Sequence, residues 1–187
     1  MGGVPLHPAV VHVPLGLAFL MPFLALACTV AWWKGWASKR AWAVVVVLQV
    51  ALLGAGVFVK QTGEKEAGVV RRIVPRGTIR PHAQAAGYFL WWAGGTLVVA
   101  GLGLALKDRH ARWAATAATV ATLGVAATGV RVGHLGGELV YVRGAAMVYT
   151  ADSTMALQRA AAAAAAAGES VPGQTGAPRP DSAAPRR

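Results

Sequence analysis

The first long apolar run of the chain reads AVVHVPLGLAFLMPFLALACTVAWW over residues 9–33 and contains no Asp, Glu, Lys or Arg. A helix rises about 1.5 Å per residue, so about 20 apolar residues are enough to cross the hydrocarbon of a bilayer. The run therefore predicts a membrane-spanning helix that starts near Pro8. We expect it to be bent, because Pro14 and Pro22 each remove one backbone hydrogen bond.

Three further runs have the same character and cover residues 41–59, 83–106 and 113–133, with Arg131 as their one charged residue. The valines of the second run would suit a strand, but lipid admits only helices and closed barrels. The four runs together predict an all-α integral membrane four-helix bundle that occupies residues 1–150.

The composition agrees with this class. Hydrophobic residues make up 56% of the 187 residues and charged residues only 13%, whereas a soluble globular chain has about 25% charged residues. The lipid bilayer is thus the first partner to expect.

The net charge of +11 indicates orientation and contact with anionic lipid. No nucleic-acid-binding pattern is present, so no nucleic-acid partner is expected. A single cysteine, Cys28, excludes an internal disulfide.

Residues 60–86, between the second and third spans, are rich in charged side chains and predict a segment outside the hydrocarbon. We expect a short amphipathic helix here, ended by Pro75 and Gly77, and a third span opened by Pro81. Four apolar residues at helical spacing form its predicted apolar face: Val69, Val70, Ile73 and Val74.

The end of the fourth span and the tail are also patterned. The paired glycines Gly136 and Gly137 are expected to stop the fourth helix. Residues 151–187 are expected to form an Ala/Pro-rich tail. Its alanine-rich part, residues 152–167, favours a helix, and residues 168–187 have the Pro, Gly, Ser and Ala content of a disordered segment.

Histidines gather at one end of the predicted bundle. Four spans place both termini and the 60–86 segment on one side of the membrane. His12 lies about one turn inside the first helix and is expected to face the bundle interior, where a polar ring needs a partner. His7 precedes Pro8 and is expected to be freer. Four histidines fall on this side, His7, His12, His82 and His134, and His110 falls on the other.

Imidazoles from facing helices can hold a metal inside a bundle, and imidazole suits haem iron, zinc and copper. The first hypothesis is a b-type haem for electron transfer, with His12, His82, His134 and His7 as candidate ligands. The second is a zinc or copper site for metal binding or handling, built by His12, His82 and His134. The third is a non-catalytic assembly subunit whose histidines are only hydrogen-bonded.

Charged residues near the histidines could support them. Glu64, Glu66 and Glu138 could accept hydrogen bonds from ring N–H groups, or could equally pair with arginines. Arg131 precedes His134 by three residues and could pair with Glu138. The absence of Cys-x-x-Cys-His excludes covalent c-type haem, and no nucleophile–base pair indicates an enzyme.

Four motifs resemble a known family. They are HPAVVHVP at residues 7–14, TGE at 62–64, His82, and GHLGGELVY at 133–141. They resemble the DUF2231 family of bacterial membrane proteins, over about residues 5–143. The resemblance implies a four-helix integral membrane domain of unassigned function. Some members are joined to Rieske-type iron–sulfur domains, which implies electron transfer. A membrane redox partner is the partner that such a function would need.

Basic residues predict the orientation. The two short loops, residues 34–40 and 107–112, carry Lys and Arg at higher density than residues 60–86. The positive-inside rule then makes the short loops cytoplasmic. We expect a multi-pass protein of the bacterial cytoplasmic membrane with both termini and the histidines on the outer side. The sequence leaves the oligomeric state open.

Overall fold

The computed structural model describes residues 6–149 and the residue pairs 154–155, 158–159 and 162–163, with Asp108 described by its backbone alone. One unit ends at Val148 and a second begins at Tyr149. The three pairs, which fall in the predicted tail helix, are helical. The rest of that predicted helix and the predicted disorder of residues 168–187 lie outside the described residues.

Within the described residues all regular structure is helical. Four helical stretches are long and apolar enough to cross a membrane: Leu6–Trp33, Lys39–Val70, Arg76–Ala105 and Arg109–Val142. The predicted all-α four-helix membrane bundle is confirmed. Its elements are α1 (Leu6–Val10), α2 (His12–Trp33), a 3₁₀ turn (Lys39–Ala41), α3 (Trp42–Val70), α4 (Arg76–Ala105), α5 (Asp108–Gly137) and a π-helical turn (Glu138–Val142).

The helices close into a ring, because α2 packs on α3 and α5, and α4 packs on the same two helices. Small side chains make these contacts. Close approach of backbones drives association in lipid, where burial of apolar surface gives no advantage. The buried core is accordingly rich in alanine: Ala18, Ala25, Ala93, Ala100, Ala111, Ala115 and Ala118.

The first span has one local irregularity near its start. Pro14 has no N–H to donate to the carbonyl of Val10, so one hydrogen bond of the ladder is missing there. Val11 separates α1 from α2 but keeps helical dihedrals, with φ −60° and ψ −27°. Pro14 then lies in the first turn of α2, where proline is tolerated. The helical structure also begins at Leu6, ahead of Pro8, which puts His7 inside α1.

The link between the second and third spans differs from the expected amphipathic helix. The second span continues as α3 to Val70, and the chain turns before α4 begins directly after Pro75. The ion pair of Lys60 with Glu64, four residues apart, supports this extension of α3. Of the residues predicted to form the apolar face of that helix, Val74 is buried, with 2% exposure, while Ile73 is 45% exposed.

The last span also runs further than predicted. The paired glycines do not stop it, since the α-helix reaches Gly137 and widens into the π-helical turn. The segment ends at Gly144, whose φ of 68° is a conformation that favours glycine. At the other end α5 begins at Asp108, so most of the expected loop at residues 107–112 is its first turn.

The short-loop end is held by tryptophan contacts. Trp42, 1% exposed, donates from Nε1 to the carbonyl of Ala100 at 2.9 Å. It lies on Gly103, where an added Cβ would be 2.6 Å from Nε1. Trp33 meets the ring of Trp113 edge to face, with centroids 5.5 Å apart. These tryptophans therefore act as packing residues at this end of the bundle.

Candidate functional site

His7 fastens α1 to the extended end of α3. Its backbone N–H donates to Oε1 of Glu66 at 2.9 Å, and its ring Nδ1 lies 2.9 Å from the carbonyl oxygen of Val59. A carbonyl only accepts hydrogen bonds, so Nδ1 is the protonated nitrogen of this ring. The hydroxyl of Thr62 donates to the same carbonyl at 2.8 Å and lies 3.4 Å from Nδ1.

The ring of His7 lies directly on Gly63. A Cβ at that position would come within 2.9 Å of Cε1 and 3.0 Å of Nδ1, which is closer than such atoms normally approach. The Thr62-Gly63 dipeptide thus combines a buried hydroxyl with an open backbone surface. Glu64, the third residue of the motif, is exposed and pairs with Lys60 instead.

His82 is held on the opposite side of the site by α5. Its Nδ1 lies 3.2 Å from the carbonyl oxygen of Val132, so by the same reasoning Nδ1 carries the proton. The ring lies on Gly136, where an added Cβ would be 3.2 Å from Cε1 and 3.5 Å from Nδ1. Gly136 therefore lets the ring of His82 lie against helix backbone, as Gly63 does for the ring of His7.

The rings of His7 and His82 lie next to each other. The ring centroids of His7 and His82 are 6.3 Å apart, and the ring planes are inclined by 84°. With Nδ1 of each ring bound to a carbonyl, Nε2 is the nitrogen that carries the lone pair in the neutral form of either ring. Two different helices therefore present two lone-pair nitrogens at one end of the bundle.

The other predicted histidines lie elsewhere. His7 and His82 are half-buried, whereas His12 and His134 are exposed on the outer surface of the bundle. His110 is exposed near the start of α5, at the other end. The structure thus brings together two of the four histidines expected to converge.

Helical spacing along the first span explains the positions of His12 and His7. Pro14 is buried against the bundle. Two residues subtend about 200° on a helix, so His12 faces outward. Seven residues subtend about 700°, close to two full turns, so His7 lies on the same buried face as Pro14.

Two of the charged residues predicted to support the site, Glu64 and Glu138, have other partners. Glu64 pairs with Lys60, and Oε1 of Glu138 pairs with Nη2 of Arg143 at 2.9 Å. Arg131 is exposed, and Arg143 takes its expected partner. The described residues contain no group of three or more His, Cys, Asp and Glu that could hold a metal ion.

Glu66 is the predicted acceptor that does contact a histidine. It accepts from the backbone N–H of His7, whereas the sequence suggested a ring N–H as the donor. Glu66 follows Thr62 by four residues and Gly63 by three, so each lies near it on the surface of α3. This relation was hidden because we expected the second span to end before this segment.

Taken together, four spans and a pair of glycine-seated imidazoles define a helical membrane bundle with a polar site at one end. The chain belongs to the DUF2231 family of predicted membrane proteins, whose model matches residues 3–149. The match includes all four spans and both seated histidines, and it confirms the expected family. No curated protein and no solved structure matches the chain.

Proposed function

We propose that this protein is a small b-type haem protein of the membrane, with His7 and His82 as axial ligands, and that it transfers electrons. The observation that carries the proposal is the state of the two rings. Each Nδ1 faces a backbone carbonyl, at 2.9 Å for His7 and 3.2 Å for His82. Metal-ligating histidines characteristically donate their other ring N–H in this way.

The number of ligands supports haem iron over a zinc or copper ion. Protein zinc sites use three or four side chains, and the described residues offer no such group. A haem iron can be held by two imidazoles. His7 and His82, whose ring centroids are 6.3 Å apart, are the residues that would hold it.

The residues of the site would have distinct tasks. The carbonyls of Val59 and Val132 keep the proton on Nδ1, which orients each ring and raises the basicity of Nε2. Gly63 and Gly136 let the rings lie against helix backbone. Haem, when bound, supplies one-electron chemistry, while the bundle provides orientation and a dry surrounding.

The test is an absorption spectrum with metal analysis of the protein purified in detergent after expression with sufficient haem supply. We expect a Soret band in the wild type and its loss in His7→Ala and His82→Ala. His12→Ala and His134→Ala are matched controls, because these histidines are exposed, and they should keep the band. A folded, colourless wild-type protein would refute the proposal.

The same preparation separates the alternatives. Stoichiometric zinc or copper without a Soret band would indicate metal binding or handling. A folded protein with neither haem nor metal, and with spectra unchanged in all four variants, would indicate an assembly subunit with hydrogen-bonded histidines.

We also propose that the protein lies in the bacterial cytoplasmic membrane with the histidine end and both termini outside, where a membrane redox partner would exchange electrons with it. The density of basic residues in the short loops supports this orientation. In a Cys28→Ser background, a membrane-impermeant maleimide added to intact cells should label Arg72→Cys and not Trp36→Cys. The reverse pattern would contradict the orientation.

A further inference from the structure

A groove lies at the end of the bundle remote from the histidine pair. Its volume is about 560 Å³, and it is lined by Ser38, Lys39, Arg40, Ala43 and Leu104. These residues come from the 3₁₀ turn, the start of α3 and the end of α4. The volume is within the range of about 300–1,000 Å³ that is typical of ligand sites. The proposed function leaves this groove unused.

The groove is strongly basic. Arg40 is exposed and makes no ion pair with a side chain that the structure describes. Lys39 donates from Nζ to the carbonyl of Leu106 at 2.6 Å, which fixes its ammonium group beside the groove. The two connections at this end hold six basic residues, Lys34, Lys39, Arg40, Lys107, Arg109 and Arg112, and one acidic residue, Asp108.

The lower wall of the groove is apolar and continues toward the hydrocarbon. Ala43 and Leu104 line it, and Val47, one turn further along α3, is 64% exposed. At the same end Trp36 is 78% exposed, as expected for a residue at the level of the lipid headgroups. An occupant therefore meets cations at the interface and apolar side chains just below it.

We propose that this groove binds an anionic phospholipid. Arg40 and Ser38 would contact the phosphate, with Lys39 adding charge, while an acyl chain would follow Ala43 and Leu104. Basic pockets between membrane helices recognise such headgroups, and arginine favours phosphate through paired charge-assisted hydrogen bonds. A free anion would leave the apolar wall without a role, so the wall favours a lipid.

The experiment measures lipid retained by the purified full-length protein. Detergent-solubilised protein is mixed with equal amounts of phosphatidylglycerol and phosphatidylcholine, and native mass spectrometry counts the lipids bound. We expect wild type to retain phosphatidylglycerol selectively. Arg40→Gln should lower that retention roughly tenfold, because a lost charge-assisted contact changes affinity by about this factor.

Two further variants test whether the lipid binds in the groove itself or to basic surface charge in general. Ala43→Phe fills the groove and keeps every cation, so it should lower retention as much as Arg40→Gln. Arg72→Gln removes an exposed cation near the other end of α3 and should change nothing. Equal retention by Arg40→Gln and Arg72→Gln, or unchanged retention by Ala43→Phe, would overturn the proposal.

Excess soluble glycerol phosphate serves as a competitor. It should not displace the lipid, because it lacks the acyl chain that meets the apolar wall, and displacement would assign the groove to a free anion. Thermal melting of each variant shows whether it is folded. The proposal does not depend on the haem hypothesis, since the two sites share no residue and lie at opposite ends of the bundle.

Discussion

The two ends of the bundle carry similar basic side chains but use them differently. At the histidine end, α3 and α5 extend past their apolar runs, and two cations pair with acids, Lys60 with Glu64 and Arg143 with Glu138. At the short-loop end the connections are brief, and tryptophans pack against glycine and one another. One end therefore combines ion pairs with the contact of His7 and His82, and the other combines tryptophan packing with the basic groove proposed to bind lipid.

The largest expected effect is at the short-loop end and concerns folding. Gly103→Val places a side chain on Trp42, which lies 2.6 Å from the position of an added Cβ. Overpacking of this kind costs about 1–3 kcal/mol, and the hydrogen bond from Trp42 to Ala100 would also be strained. Melting in detergent should shift down by several degrees. Gly101→Val, with open space at its Cβ, is the control, and an equal shift there would show that the contact is unimportant.

The next effect is at the histidine end and concerns ligand binding. Gly63→Ala brings a Cβ to 2.9 Å from the ring of His7, so the ring must move away from Val59. Haem content should fall roughly tenfold, which corresponds to about 1.4 kcal/mol. Gly68→Ala lies on the same helix in open space and should bind haem normally. Equal haem content in both variants would show that Gly63 does not seat the ring.

Gly136→Ala should act in the same direction and more weakly, because its Cβ would lie 3.2 Å from His82, and a small shift relieves the contact. We expect a loss of haem affinity of about threefold, near 0.7 kcal/mol, measured by titration of the apoprotein. The adjacent Gly137→Ala has nothing within 4 Å of its Cβ. If Gly136→Ala and Gly137→Ala change haem affinity equally, the change comes from helix propensity and not from the contact of Gly136 with His82.

The smallest expected effect concerns Glu66. In Glu66→Gln the amide oxygen can still accept from the backbone N–H of His7, but a neutral acceptor is about half as strong as a charged one. Haem affinity should drop by about twofold to threefold. Glu64→Gln, whose carboxylate pairs with Lys60, should bind haem as the wild type does. A greater effect at Glu64 would reverse the assigned roles of the two carboxylates.

The sequence was sufficient for the bundle, since four apolar runs in lipid leave only helices. It was insufficient for helix ends, because α3 continues to Val70 through residues that hydropathy treats as a loop. Two interactions support this extension. One is the ion pair of Lys60 with Glu64 within the helix, and the other is the tertiary contact of Gly63 with His7. Hydropathy reports neither of them.

The position of the histidine pair was predicted in part. The sequence placed His82 and His7 at one end, where their rings meet, but it favoured His12 over His7. That order depended on a first helix that starts at Pro8 and excludes His7, whereas His7 lies inside α1 and seven residues before the buried Pro14. The glycines of the TGE and GHLGGELVY motifs were read as helix ends, whereas Gly63 and Gly136 provide the surfaces on which the rings lie.

The contact between His7 and His82 joins two halves of the chain. His7 is bonded to α3 and His82 to α5, so the rings meet where the amino-terminal half faces the carboxy-terminal half. Any atom held by both rings would act as a cross-link between these halves. Its loss would leave the five-residue helix α1 held to α3 by the contacts of His7 with Glu66 and Val59, without the added link to α5. Occupancy of the site should therefore raise the resistance of α1 to proteolysis.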